Sequence, residues 1–399
     1  MEPALIPYLS LILIGLIFIW RPTFLSSVNL PIWALLLIKA LLLFTITSIL
    51  GWPYDIQGYF DHSKLIWQGD VPMKDFNSPY SIGFEYLMSF ISFNYHSPLF
   101  MGLFLLLFEA LAYLIILRNN LLTKSEIVGL AFNPLFIHFS IFDIQDEFII
   151  LFFFAWYAYL LTYNCKLIYW TLVSILFIFF TKVLSILFIA PLFYKNHKRG
   201  FLTLFTIVGI YFILYLSGFR IFSFEFEKKD GGSDLIWDIY SAGNILWIMK
   251  GLGIIFKPIY GMLLTVSILV LVNLYLAFNR FRDNFNYLEY YIIGLLLNTL
   301  TMLIFYKMTF PYNYLILLFV YTVAQKLSIF QGRIISKRLF AIYTLIISIN
   351  HQSEYLILKY GMVQTPLYFI FYLIQIMIVI FNVYLFLQVF RRISSSKLG

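Results

Sequence analysis

The stretch Leu30-Pro-Ile-Trp-Ala-Leu-Leu-Leu-Ile-Lys39-Ala-Leu-Leu-Leu-Phe-Thr-Ile-Thr-Ser-Ile-Leu50-Gly51-Trp52-Pro53-Tyr54-Asp55 is an apolar run that stops at a proline and opens on an acid. A helix needs about 20 such residues to cross the hydrocarbon core of a bilayer. Apolar runs recur at about 5–20, 98–117, 127–142, 148–163, 168–181, 183–194, 201–218, 252–278, 288–305, 310–325, 339–350 and 362–389. Strands of a membrane barrel would alternate apolar and polar residues, and these runs do not. The expected fold class is therefore all-α, a polytopic bundle of about 11–13 helices forming a single integral membrane domain over residues 1–399.

Composition agrees. Of 399 residues, 62% are hydrophobic and 12% charged, and mean hydropathy is +0.89. Soluble domains run at roughly 45–50% apolar and 25% charged, so a soluble enzyme, a nucleic-acid binder and a disordered chain are excluded as readings. Aromatic residues make up 21%, with 45 Phe and 30 Tyr, suiting lipid-facing and interfacial surfaces. The lone Cys165 forbids an intrachain disulfide. Leu5–Trp20 lacks the basic start and small-residue cleavage site of a signal peptide and reads as an uncleaved helix.

Net charge is +8, but its distribution says more. Alternate loops hold 16 of the 27 Lys and Arg residues, from Arg21 through Lys195, Lys198 and Arg199 to Arg391 and Arg392. By the positive-inside rule this face is cytoplasmic. The opposite face collects the acids and two long loops, 51–97 and 219–251. A transporter ordinarily keeps loops short and polar residues at mid-membrane; here the polar chemistry points to an outward-facing site. Lys39 and Glu109 fall near the middle of their spans, where an unpaired charge is costly, and are expected to pair with each other inside the bundle.

In the first long loop, Pro53 blocks continuation of the preceding span and Asp55 is placed to cap a helix over about 56–68, ending at Gly69 with Pro72 beyond. Ile56, Tyr59, Phe60 and Trp67 make that helix amphipathic enough to lie along a membrane surface. A second helix is expected from about Pro79 to Phe93. Asp55 reads either as a capping carboxylate or as a general base at the interface, and the two roles are compatible. A second polar cluster, Asn133-Pro134-Leu135…Ser140…Asp143-Ile144-Gln145-Asp146-Glu147, interrupts two apolar runs and reads as an outward hairpin tip, in its plainest form a solvated turn.

The order Asp55…Tyr59…Gly69…Pro72…Pro79-Tyr80, followed by an aromatic helix and a span, resembles the GT-C glycosyltransferases, and among them the phosphatidylinositol-glycan mannosyltransferase and its prokaryotic relatives. Asn133, Pro134, Leu135 and Ser140 resemble a second segment of that superfamily, and 306–315 a late one. The acid two residues beyond the first is absent, because Gln57 stands there. The resemblance implies that Asp55 is the catalytic base and that a polyprenyl (dolichyl-type) phosphate carries the donor sugar, with mannose the expected sugar. A lipid-linked or protein-linked glycan would be the acceptor. Such an enzyme sits in the plasma membrane of a prokaryote or the endoplasmic reticulum of a eukaryote, working on the non-cytoplasmic side.

Expulsion of a lipid phosphate calls for fixed cations. Lys182, Lys307, Lys257 and Arg220 are the donor-phosphate candidates, each with snorkelling or interfacial anchoring as the plainer role. Tyr59, Gln145, Asp146 and Trp237 are expected at the sugar, the acceptor or the water of a metal. Carboxylate and carbonyl oxygens suit Mg2+ or Mn2+ rather than zinc. The competing readings are a glycan polymerase or ligase using diphosphate-linked sugars, and a lipid or sugar flippase. Membrane lipids are partners in every case, and nucleic acid in none.

Overall fold

The helix Ile32–Leu50 is apolar on every face, yet only Leu35, Lys39, Leu43 and Thr47 are buried. Their spacing of four traces one stripe along a helix. Trp33, Leu37, Leu41 and Phe44 stand on the remaining faces, each more than half exposed. Water does not tolerate an apolar surface of that extent, and lipid does.

The computed structural model describes residues 5–21, 28, 30–76, 78, 80–93, 99–181, 197–219, 244–245, 248–249, 258–278, 285–305, 313–327, 329, 335–359 and 366–395. In chain order the helices are α1 (Leu5–Trp20), α2 (Ile32–Leu50), α3 (Tyr54–Trp67), α4 (Ile82–Phe93), α5 (Leu99–Arg118), α6 (Lys124–Ala131) and α7 (Pro134–Ile137). A π-helical turn, His138–Phe142, follows α7. Then come α8 (Glu147–Thr162), α9 (Leu167–Phe180), α10 (His197–Leu216), α11 (Pro258–Phe278), α12 (Tyr287–Phe305), α13 (Asn313–Lys326), α14 (Lys337–Lys359) and α15 (Pro366–Ser395). The described residues contain no strand, only an isolated bridge between Pro72 and Phe76.

The expected all-α architecture is present. Among the described residues five helices are long and apolar enough to cross a membrane: Ile32–Leu50, Leu99–Arg118, Lys198–Leu216, Tyr287–Phe305 and Phe369–Ile393. The span expected over 127–142 is instead a pair, Lys124–Ala131 and Pro134–Phe142, bent by 61° and making a sixth if counted as one. Pro134 supplies the break, since it offers no N–H to the preceding turn. Shorter apolar helices of 10–17 residues include Glu147–Thr162 and Leu167–Phe180. The expected segment 183–194 lies outside the described residues.

The chain divides into two compact units. One comprises Met1–Asn29, Ser125–His138 and Gly232–Gly399. In it α12 is buried from Tyr290 to Ile304, with α11, α13 and α15 packed around it. Asn273 Nδ2 donates to Asn298 Oδ1 at 3.0 Å, and Asn382 Nδ2 to the Tyr314 hydroxyl at 2.7 Å. These bonds satisfy polar groups that would otherwise be stranded among apolar helices.

The other unit, Leu30–Lys124 and Phe139–Gly231, holds α2–α5 and α8–α10. Here α5 packs on α2, α4 and α8, while α9 packs on α4, α8 and α10. Two small residues set the closest approaches. A Cβ at Gly102 would lie 3.1 Å from Leu43 and 3.2 Å from Ile144, so the α2–α5 seam closes over a bare Cα. At the start of α4, Ser81 Oγ donates to the Phe179 carbonyl at 2.5 Å, and a Cβ on Gly83 would collide with that same carbonyl oxygen. Backbone cannot yield as a flexible side chain can. Gly83→Ala is therefore expected to destabilise the protein by about 1–3 kcal/mol, read as a lowered thermal midpoint in detergent.

Candidate functional site

Pro53, at φ −57° and ψ 151°, is the residue before α3, and no side chain caps the helix. Its fixed φ lets the helix begin at Tyr54, earlier than expected. Asp55 is thus the second residue of the helix rather than its cap, which corrects the capping expectation. The Asp55 side chain lies outside the described residues.

α3 ends at Trp67 and the chain turns through Gly69, whose φ of 102° is left-handed. The connecting loop runs back along α3, setting Phe76 beside His62 and Tyr80 beside Tyr59. α4 then runs alongside α3 in the same direction, with the facing stripe of α3 buried at Ile56, Tyr59 and Ser63. Trp67 Nε1 donates to the Ser89 carbonyl at 3.1 Å between the two helices. The Tyr59 ring meets Tyr80 and Phe84 edge-on, with centroids 4.8 and 5.0 Å away. Ring pairs of this geometry are worth about 0.5–1.5 kcal/mol beyond the area they bury.

The second polar cluster is built differently from the expected solvated tip. Asn133 caps α7, its side chain accepting from Leu135 N at 3.0 Å. The π-helical turn then widens the backbone, and Gln145 N closes back on the Phe139 carbonyl at 3.1 Å. Ile144 reaches the Gly102 surface of α5. Gln145, Asp146 and Glu147 are consequently 1–3% exposed, and the solvated-turn expectation is overturned for them. Tyr59 OH donates to Asp146 Oδ1 at 3.2 Å. Two clusters 87 residues apart in sequence therefore meet one turn along α3 from Asp55.

Behind this contact lies the expected ion pair. Lys39 Nζ donates to Glu109 Oε1 and, at 3.0 Å, to Ser140 Oγ of the π turn. Tyr113 OH donates to the same carboxylate oxygen at 2.6 Å. Lys39 and Glu109 are each 2% exposed, and the adjoining cavity is about 10 Å3, too small for anything beyond a water molecule.

Of the residues expected at the site, Tyr59, Gln145 and Asp146 are brought together here. Lys182, Arg220, Trp237, Lys257 and Lys307 lie outside the described residues. Sequence reasoning missed a pair between α3 and α4: His62 Nδ1 lies 2.8 Å from Glu85 Oε1. The same oxygen also accepts from Ser78 Oγ. The available signal was the heptad spacing of His62 from Asp55. Among the described residues no group of three or more His, Cys, Asp or Glu side chains is arranged to hold a metal ion. No family model, curated protein or solved structure matches the chain.

The ion pair yields a test. Lys39→Met leaves a carboxylate buried without its cation and is expected to cost about 3–5 kcal/mol. The double variant Lys39→Met/Glu109→Leu removes both charges and should recover most of that loss. The swap Lys39→Glu/Glu109→Lys should likewise fold better than either single change. Thermal unfolding of wild type, these three variants and the single changes Lys39→Glu and Glu109→Lys in one detergent measures both outcomes.

Proposed function

We propose that the protein is a multi-pass membrane glycosyltransferase of the GT-C kind. It takes a sugar, mannose by the resemblance, from a polyprenyl-phosphate donor and passes it to a lipid-linked or protein-linked glycan on the non-cytoplasmic side. The observation that supports this reading is the hydrogen bond from Tyr59 to Asp146. It joins the helix bearing Asp55 to the buried polar turn, so the two segments that carry the resemblance share one place in the fold.

In this reading the Asp55 carboxylate takes the proton of an acceptor hydroxyl. The freed oxygen attacks the anomeric carbon from the side opposite the phosphate. The carbon–oxygen bond to the phosphate breaks, its electron pair leaves with the phosphate, and the anomeric centre inverts. Lys182, Lys307, Lys257 and Arg220 are the proposed phosphate-holding cations, and Tyr59, Gln145, Asp146 and Trp237 the proposed sugar- or acceptor-side groups. Tyr59 also keeps α3 in register against Asp146. Should a metal take part, Mg2+ or Mn2+ fits the oxygen donors on hand.

The test is transfer from polyprenyl-phosphate mannose by the full chain in liposomes. Folded Asp55→Asn is expected to lose about 100- to 10,000-fold in rate, the usual worth of a positioned base. Full activity in that variant would overturn the assignment and favour a flippase, which has no use for a base at position 55.

A further inference from the structure

His62 lies on α3 where it meets α4, and the reading above gives it no role. Its side chain is 25% exposed, while that of Glu85 is fully buried. Glu85 Oε1 receives Ser78 Oγ and faces His62 Nδ1, so the imidazole is oriented from behind by an anchored carboxylate. With Nδ1 engaged, Nε2 is the nitrogen left to meet a ligand. Phe76 and Tyr80 stand beside the ring, their centroids 5.2 and 6.5 Å away. The neighbouring cation of α3, Lys64, is held by Asp61 at 2.7 Å and sits over the Phe60 ring. Glu85 Oε2 has no hydrogen-bond partner among the described residues. The carboxylate therefore retains capacity to offset positive charge on the imidazole.

Position along the helix supplies the second argument. Residues 55 and 62 are two turns apart, an axial rise of about 10.5 Å. Seven residues apart, they share one face of this rigid helix, as a group on the acceptor side and one on the leaving-group side would need to.

We propose that His62, oriented by Glu85, is an oxyanion site for a phosphate monoester and acts on the leaving-group side of the transfer. This rests on the transferase reading for its catalytic part. As the bond between the anomeric carbon and the phosphate oxygen breaks, that oxygen keeps the electron pair and takes the hydrogen bond, or the proton, from Nε2. Glu85 compensates the imidazolium before the step, and the imidazole is neutral after a full proton transfer.

The experiment uses the full chain in detergent, with farnesyl phosphate as the lipid probe, inorganic phosphate as the free anion and farnesol as the uncharged control. Diethyl pyrocarbonate modifies accessible imidazole, and peptide mass spectrometry reads His62 alone. Farnesyl phosphate is expected to slow modification of His62 in a saturable way, and farnesol to leave it unchanged. Equal protection by inorganic phosphate at the same concentration would identify free phosphate as the source and sustain the oxyanion site. Folded His62→Gln is expected to bind farnesyl phosphate about 10-fold or more weakly, the worth of one charge-assisted hydrogen bond. Glu85→Gln keeps the imidazole but loses its orienting charge, and should fall between wild type and His62→Gln.

An ion pair with a purely structural role would move none of these affinities. An unchanged modification rate with farnesyl phosphate, in wild-type protein, overturns the proposal whether or not either variant folds. If wild type transfers sugar without protection of His62, the His62 proposal falls and the transferase reading stands. If protection occurs without transfer from any polyprenyl-phosphate sugar, the oxyanion site stands and the transferase reading falls.

Discussion

A lysine and a glutamate inside apolar helices must find each other, and here that requirement organises the surrounding unit. Lys39 and Glu109 join α2 to α5, and Ser140 adds the π turn to the same bond network. Removing either charge leaves the other in a medium that cannot solvate it, which costs more than the pair itself contributes. The arrangement is therefore strongly specified even where its net stabilisation is small. Three residues link α2 to α3, and the polar turn begins just beyond the π segment. Tyr59 and Asp146 can meet because both of their segments start from one fixed point.

Elements whose boundaries follow from hydropathy and breakers were legible in the sequence. α2, α5 and α12 fall where their apolar runs lie, and Gly69 ends the first loop helix as its position suggests. The Lys39–Glu109 contact was legible as well, since two mid-span charges of opposite sign have few other solutions. α14, by contrast, continues to Lys359 beyond the apolar run at 339–350, because hydropathy marks where a span ends rather than where a helix does.

Features that depend on tertiary register were not legible. The acids at 146 and 147 suggest a solvated tip until a π turn folds them inward and Ile144 reaches α5. Asp55 suggested a cap because a caps-and-breakers reading places the helix start after it, whereas Pro53 starts the helix sooner. His62 and Glu85 are 23 residues apart, and only the side-by-side packing of two helices makes them neighbours. Composition alone cannot separate an acid that faces water from one that faces an imidazole.

The buried ion pair also serves as a ruler. Lys39 precedes the end of α2 by eleven residues, an axial rise of about 16 Å. Half the hydrocarbon thickness of a typical bilayer is about 15 Å. A pair at the midplane would put the end of α2 at the edge of the hydrocarbon and Gly51-Trp52-Pro53 at the headgroup boundary. The distance of residue 55 from the pair is set by covalent geometry, so lengthening α2 by one turn would carry that residue about 5.4 Å farther along the helix axis.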